Sequence, residues 1–163
     1  MEITQLLFAT QPATIRFSGA MGEGGGQGDR SAPRVGSDGK QPYRVLVVED
    51  EWFVAVENEA ALREADFAVV GVAMNAEEAL LLVEETQPDL VLMDIRLPGE
   101  LDGVQIAELI RRRYDIPSLF VTAHSDPAMR RRGEAAQPVG WIIKPFSSAQ
   151  LVRAVKAALK TQS

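Results

Sequence analysis

The chain has no cysteine and a single histidine, His124, among its 163 residues. Without thiols it can form neither a disulfide nor a thiolate metal site, and a lone imidazole argues against a histidine-rich zinc centre. Any metal bound by this protein is therefore expected to have oxygen ligands.

Long apolar runs are also missing. No segment approaches the ~18 apolar residues that a membrane-spanning helix needs, and residues 6–9 are too short for a signal peptide and lack its basic flank. The formal net charge of −6 opposes general affinity for nucleic acid, because that affinity depends on clustered Lys and Arg. We therefore expect a cytoplasmic protein that neither inserts into a membrane nor binds nucleic acid directly.

Residues 1–42 differ in composition from the rest of the chain. They hold 8 of the 13 glycines and show no helical or strand periodicity. A glycine-rich phosphate-binding loop needs a strand before it and a helix after it, and neither is indicated here. We interpret residues 1–42 as a flexible, disordered glycine-rich arm and residues 43–163 as one folded domain.

From residue 43 onward, short apolar runs alternate five times with amphipathic stretches. This alternation is typical of an α/β fold in which helices cover both faces of a parallel sheet. The fourth helix, after Pro127, contains few apolar residues and is predicted to be short or mobile. Asn75 with Glu78, and Ser147 with Gln150, match the capping-box pattern of helix starts. The predicted strands are 43–49, 67–73, 89–94, 117–122 and 139–143.

Polar residues stand at the ends of four predicted strands. Glu49 and Asp50 follow the first strand, Asp94 ends the third, Thr122 ends the fourth and Lys144 follows the fifth. If the strand order is 2-1-3-4-5, these four ends are neighbours at the carboxyl edge of the sheet, where such folds bind ligands. Asp94 would then have the carboxylates on one side, with Thr122 and Lys144 on the other.

Three clustered carboxylates must either take up protons or recruit a cation. With oxygen ligands alone, and with coordination positions left for water, Mg²⁺ is the natural occupant. Asp94 would be free to attack a phosphoryl group. The metal, the Lys144 ammonium and the Thr122 hydroxyl would share the negative charge of the phosphoryl oxygens.

Four segments carry this pattern in order: Val-Leu-Val-Val-Glu49-Asp50-Glu51, Leu-Val-Leu-Met-Asp94 with Pro98 and Gly103, Val-Thr122-Ala123, and Trp141-Ile-Ile-Lys144-Pro145-Phe146. Together they resemble the receiver domain of two-component response regulators over nearly all of residues 43–163. The resemblance implies a flavodoxin-like (βα)5 fold, with a doubly wound parallel sheet of five strands in the order 2-1-3-4-5.

The resemblance implies that Asp94 is the phosphoacceptor and that a histidine kinase or a phosphotransfer protein phosphorylates it. Mg²⁺ would be bound by Asp50, Asp94 and the backbone carbonyl of Arg96, with Glu49 acting through water.

The resemblance also assigns the residues around the phosphate. Lys144 would pair with the phosphate and be joined to Pro145 by a cis bond. Thr122 and Ala123 would bind the phosphoryl oxygens, and Trp141 would swing inward as the switch aromatic. From the residues alone, Trp141 is either such a switch or a core residue. Three positions are expected to tune the lifetime of the phosphoryl group: Glu51, Arg96 and His124.

Two features depart from the family pattern. Four residues, 99–102, separate Pro98 from Gly103 where many relatives have three, and Trp141 stands where Tyr or Phe is commoner. Three consecutive arginines, 130–132, lie on the fourth helix, either as a surface that a partner reads or as a solvated face.

Only three residues follow the last predicted helix, so we expect a stand-alone receiver of the chemotaxis-regulator type, not an enzyme with turnover. Its output would be protein binding, phosphate relay or phosphate drainage. It would be a monomer, or a weak dimer through the fourth helix, fifth strand and fifth helix.

Two alternative functions remain open. One is an aspartate-nucleophile phosphohydrolase, whose second Asp is replaced here by Arg96, and the other is a degenerate receiver that signals without phosphate. A dinucleotide site would need a Gly-x-Gly-x-x-Gly that is missing after the first strand.

Overall fold

A computed structural model describes residues 41–123 and 127–161, so the predicted arm lies almost entirely outside the described residues. Strands and helices alternate throughout the described ranges. In chain order they are β1 (Arg44–Val48), α1 (Trp52–Glu64), β2 (Ala68–Ala73), α2 (Ala76–Thr86), β3 (Leu90–Asp94), α3 (Gly103–Tyr114), β4 (Ser118–Thr122), α4 (Pro127–Gly133), a 3-10 turn (Glu134–Ala136), β5 (Gly140–Ile143) and α5 (Ser148–Lys160).

The five strands form one parallel sheet in the order β2-β1-β3-β4-β5, which confirms the predicted topology. Each predicted strand begins one residue too early, and only β1 was also predicted to end one residue too late. The cause is visible at Asp89 and Val139, whose N–H groups donate to Arg44 and Ser118. Such residues make a single ladder bond at the start of the strand without completing a pair.

Side chains from alternate strand positions form two separate cores. Leu46, Met93 and Phe120 face one side, where α2 and α3 cover the sheet. Val47 and Leu92 face the other side, beneath α1 and α5. Because both faces are covered, the central strands are buried at nearly every position, as expected for an all-parallel sheet. None of the helices in the described ranges is long and apolar enough to span a membrane.

The two predicted helix starts are both capped, but in different ways. The Ser147 hydroxyl accepts from the Gln150 N–H at 3.3 Å and the Gln150 side chain accepts from the Ser147 N–H at 2.8 Å, which completes the box. Asn75 accepts from the Glu78 N–H at 2.9 Å, but the Glu78 carboxylate accepts from Met74 instead of Asn75. The helix that follows Asn75 is therefore capped without a reciprocal box.

The fourth helix is short, as predicted. It has seven residues, of which only Gly133 is buried, and it passes directly into the 3-10 turn. Sparse apolar residues leave it little surface to bury, and burial is what stabilises most helices in proteins.

Gly103 brings α3 against the end of β3. Its N–H donates to the Ile95 carbonyl at 3.0 Å. A Cβ at this position would lie 1.9 Å from the backbone oxygen of Asp94, which is closer than any contact can be. Only glycine therefore allows the first turn of α3 to approach the strand that carries Asp94.

We expect Gly103→Ala to lower the free energy of unfolding by about 2 kcal/mol or more, because the backbone of α3 or β3 must move to admit a methyl group. Denaturant unfolding followed by circular dichroism measures the loss. Gly71→Ala is the matched control, since its Cβ would meet only the ends of side chains, Leu82 at 3.0 Å and Leu46 at 3.4 Å, and no backbone atom. Equal losses in the two variants would contradict the close approach.

Candidate functional site

The polar residues predicted to converge do lie at one edge of the sheet. Val48 pairs with Met93, so that Glu49 and Asp50 emerge beside Asp94 at the end of β3. Asp94 pairs with Val121, which places Thr122 one residue beyond it on β4. The Lys144 N–H donates to the Thr122 carbonyl at 2.8 Å and so extends the ladder beyond β5. The strand order alone thus gathers all four strand ends.

Three carboxylates crowd this edge. Glu49, Asp50 and Asp94 each present an oxygen, and these oxygens lie within 4.8 Å of one another. Glu49 is 1% exposed and Asp94 is 5% exposed, so solvent does little to screen their charges. Carboxylates this close repel one another unless a proton or a cation intervenes. Their hard oxygen atoms suit a divalent cation such as Mg²⁺.

The Lys144 ammonium lies among the carboxylates. Its Nζ donates to Glu49 Oε2 at 2.8 Å and to Asp94 Oδ2 at 2.6 Å. The strand order predicts Lys144 on the opposite side of Asp94 from Glu49, and for the ammonium this prediction is wrong. β5 does lie on that side, but the long lysine side chain reaches back past Asp94.

Burial and hydrogen bonding shift the pKa values of Glu49 and Lys144. Burial raises the pKa of Glu49 to about 7, and the negative charge of Asp94 adds to the rise, although the hydrogen bond from Lys144 opposes it. Burial disfavours the charged form of Lys144, but the hydrogen bonds to Asp94 and Glu49 outweigh it and raise the pKa of Lys144 above its usual value. The lysine therefore stays charged, whereas Glu49 titrates near neutral pH.

Asp94 is fixed by hydrogen bonds at both of its carboxylate oxygens. Oδ2 accepts from Lys144, and Oδ1 accepts from the backbone N–H of Arg96 at 2.8 Å. The peptide of Arg96 therefore lies at the rim of the site, and the role expected for its carbonyl stays a prediction. Thr122 is buried at the end of β4, and Ala123 after it is exposed. His124 lies outside the described residues.

Trp141 is packed against its neighbours in this structure. It pairs with Phe120 across the sheet, and the two ring centroids are 4.8 Å apart. A Cβ on Gly133 would lie 2.4 Å from the indole, so α4 presses closely on the ring. The Arg130 guanidinium stacks at 5.5 Å from the ring centroid. This packing fits the core alternative for Trp141, and its role as a switch stays a prediction.

The remaining predicted site residues are at the rim. The bond between Lys144 and Pro145 is cis, as the resemblance implied. Glu51 precedes the first turn of α1, and its backbone N–H donates to Glu49 Oε1 at 3.3 Å. Its own carboxylate is exposed and makes no cap.

Sequence reasoning missed a further ion pair, between Arg132 on α4 and Asp102 before α3. The position of Asp102 could have been predicted, because Asp102 and Gln105 have capping-box spacing and do form that box at the start of α3. Nothing in the pattern indicated Arg132, since three consecutive arginines on a polar helix have no preferred partner.

The raised pKa of Glu49 makes the stability of the metal-free protein depend on pH. Folded Glu49 holds its proton to about pH 7, whereas its ordinary pKa is 4.5, so its contribution is fully present below pH 4.5 and declines as pH rises to about 7. We expect unfolding in EDTA to show this decline, on the order of 3 kcal/mol, and Glu49→Gln to remove it. Glu57→Gln, at an exposed carboxylate on α1, is the control. Parallel pH profiles for Glu49→Gln and the parent protein would refute the assignment.

Comparison with known proteins agrees with this geometry. The family model for the response regulator receiver domain matches residues 45–156. The transcriptional regulatory protein PdtaR of Mycobacterium tuberculosis is 33% identical over 129 residues, which cover 79% of this chain and 62% of PdtaR. The chain thus spans less than two thirds of the length of that relative.

Two solved structures are similar along most of the described chain. One is a response regulator from Chloroflexus aurantiacus J-10-fl, with 33% identity and a TM-score of 0.67, covering 73% of this chain and 98% of the other. Another is the signal receiver domain of a modulated diguanylate cyclase from Desulfovibrio desulfuricans G20, with 31% identity and a TM-score of 0.69, covering 74% and 96%. With the acidic edge, Lys144 and the strand order in place, the chain belongs to the family of two-component response regulator receiver domains.

Proposed function

We propose that this protein is a phosphorylation-controlled signalling module in which Asp94 accepts a phosphoryl group from a histidine kinase or a phosphotransfer protein. The observation that carries the proposal is the meeting of Asp94 with two further carboxylates and a lysine ammonium at one sheet edge. A carboxylate that only capped a turn would need none of these neighbours.

The three carboxylates fit a magnesium ion. Asp50, Asp94 and the carbonyl of Arg96 would bind it directly, and Glu49 would act through water. The ion supplies positive charge that stabilises the oxygens of the transferring group. Glu49 also accepts from Lys144 at 2.8 Å, and we assign it the further task of holding that ammonium beside Asp94.

The proposed transfer is a single displacement at phosphorus. A carboxylate oxygen of Asp94 forms the new P–O bond while the P–N bond of the donor phosphohistidine breaks. The imidazole keeps the electron pair of that bond and takes a proton from water. Lys144, now 2.6 Å from Asp94 Oδ2, is close enough to pair with a phosphoryl oxygen on that carboxylate. The Thr122 hydroxyl and the Ala123 N–H would donate to the others.

Turnover on small phosphate esters is not part of the proposal. A phosphohydrolase with an aspartate nucleophile needs a carboxylic acid two residues further on to protonate the leaving group. That position holds Arg96, whose guanidinium does not release a proton at neutral pH. We instead assign Glu51, Arg96 and His124 to tuning the lifetime of the aspartyl phosphate.

The proposed output is a changed protein surface around α4, β5 and α5, read by a partner or by a weakly bound second copy, or else the relay or drainage of phosphate. PdtaR is a transcriptional regulatory protein by name, but this chain spans 62% of it. We therefore extend to this chain the receiver function alone. An acceptor aspartate and a metal site can each be tested on the isolated protein.

Acetyl phosphate with MgCl2 is expected to add the mass of one phosphoryl group to the protein, as read by intact mass spectrometry. Asp94→Asn should prevent the addition because an amide oxygen is a poor nucleophile toward phosphorus. Asp66→Asn, at an exposed aspartate with φ of 66° that asparagine also tolerates, is the matched control. Equal labelling of the Asp94 variant and the control would remove Asp94 as the acceptor.

Titration with MgCl2 is expected to change tryptophan emission, because Trp52 begins α1 two residues after Asp50. Asp50→Ala should abolish the change, whereas Glu57→Ala, an equal change of charge at an exposed position on α1, should keep it. Trp52→Phe tells whether Trp52 or Trp141 reports the binding. An unaltered response in Asp50→Ala would take Asp50 out of the metal site.

A further inference from the structure

The Asp102 carboxylate makes a different contact with each of its oxygens. Oδ1 accepts from the Gln105 N–H at 3.0 Å, and the Gln105 side chain accepts from the Asp102 N–H at 3.1 Å, so this half caps α3. Oδ2 accepts from the Arg132 guanidinium of α4. One side chain therefore both starts α3 and ties it to α4.

Asp102 is also the last residue of the segment that leads away from Asp94. We call residues 95–102 the acceptor loop. At its start, the Arg96 N–H donates to Asp94 Oδ1. At its end, the Gly103 N–H donates to the Ile95 carbonyl, and Gly103 itself abuts the Asp94 backbone. Ile95 and Leu97 are buried, whereas residues 98–100 are exposed.

Little burial holds α4. Of its seven residues only Gly133 is buried, and Met129 packs partly buried against the core. Its described contacts also include Trp141, through Arg130 and Gly133, and Asp102, through Arg132. Two of the three arginines in the 130–132 run are thus engaged within the protein. The ion pair to Asp102 joins α4 to the acceptor loop, and the stacking on Trp141 joins it to β5.

We propose that Arg132 and Asp102 are positioning residues, which hold the acceptor loop so that the Arg96 carbonyl lies at the metal site. This inference rests on the proposed function, because it takes that carbonyl as a magnesium ligand. Coupling between two equilibria is reciprocal. If the ion pair favours magnesium binding, then magnesium binding favours the ion pair by the same factor and holds α4 in place.

The expected effect is modest. The side chains of Arg132 and Asp102 are 48% and 29% exposed, and ion pairs with such access to water contribute little. We expect losing the pair to weaken magnesium binding about 2- to 5-fold. An effect of this size biases the position of α4 without locking it.

The sign of the change separates positioning from simple electrostatics. Arg132→Gln removes a positive charge from the protein, which by electrostatics alone should, if anything, tighten magnesium binding. Positioning predicts weaker binding. Arg131→Gln removes the same charge from the neighbouring residue, which has no described contact with the acceptor loop, and so gives the electrostatic baseline.

The experiment is calorimetric titration of the full chain with MgCl2. Arg132→Gln should bind about 2- to 5-fold more weakly than Arg131→Gln. Asp102→Asn keeps an oxygen to cap α3 but loses the charge that Arg132 binds. In that background the Arg132 and Arg131 substitutions should have equal effects, because no ion pair remains to break. Equal effects in the parent protein as well would overturn the proposal.

A second measurement needs no metal. Amide hydrogen exchange in EDTA should be faster in the acceptor loop and α4 of Arg132→Gln than of Arg131→Gln, and ~1 M NaCl should bring the parent protein toward Arg132→Gln by screening the pair. Identical exchange in the two variants would also overturn the proposal that the Arg132–Asp102 pair holds the acceptor loop.

Failure of this proposal can be told from failure of the proposed function. If acetyl phosphate fails to label the parent protein, the proposed function fails, but the magnesium titration and the exchange comparison still decide whether the ion pair holds the acceptor loop.

Discussion

The site depends on one lysine ammonium that lies among three crowded carboxylates. Glu49 and Asp94 are almost fully buried, and two buried charges of the same sign are costly without a partner. Lys144, the residue after β5, supplies that partner and so links the ends of β1, β3 and β5. In the observed order β3 and β4 lie between β1 and β5, so the Lys144 side chain reaches past Asp94 to contact Glu49.

Most of the fold could be predicted because apolar runs report burial directly. The all-apolar stretch before Glu49 reads as a strand covered on both faces, and both cores contain its residues. The ends of four of the five runs then located the site residues. Strand order gives the position of a backbone, however, and not the reach of a side chain. That is why the Lys144 ammonium was expected away from Glu49 and instead lies 2.8 Å from it.

The contacts of α4 could not be predicted for a different physical reason. Arg132 and Asp102 are thirty residues apart in the chain, and they meet only in the fold, where Arg132 of α4 pairs with the residue before α3. Few apolar residues fix the position of α4, so hydrophobic periodicity carries little information about it. The same sparse burial left open whether the arginines were a surface that a partner reads or a solvated face. In the structure, Arg130 stacks on Trp141 and Arg132 pairs with Asp102.

Sparse burial also makes α4 the element best suited to respond to the site. A phosphoryl group on Asp94 would draw Lys144 away from one or both of its carboxylates and would add charge beside the acceptor loop. Rearranging a few polar contacts involves free energies of the order that exposed ion pairs and cation–π contacts supply. α3 and α5 are held by rows of buried side chains and would barely move. α4 is held by polar contacts, by the partly buried Met129 and by the packing of Gly133 on Trp141, so the same change would shift it more readily than α3 or α5.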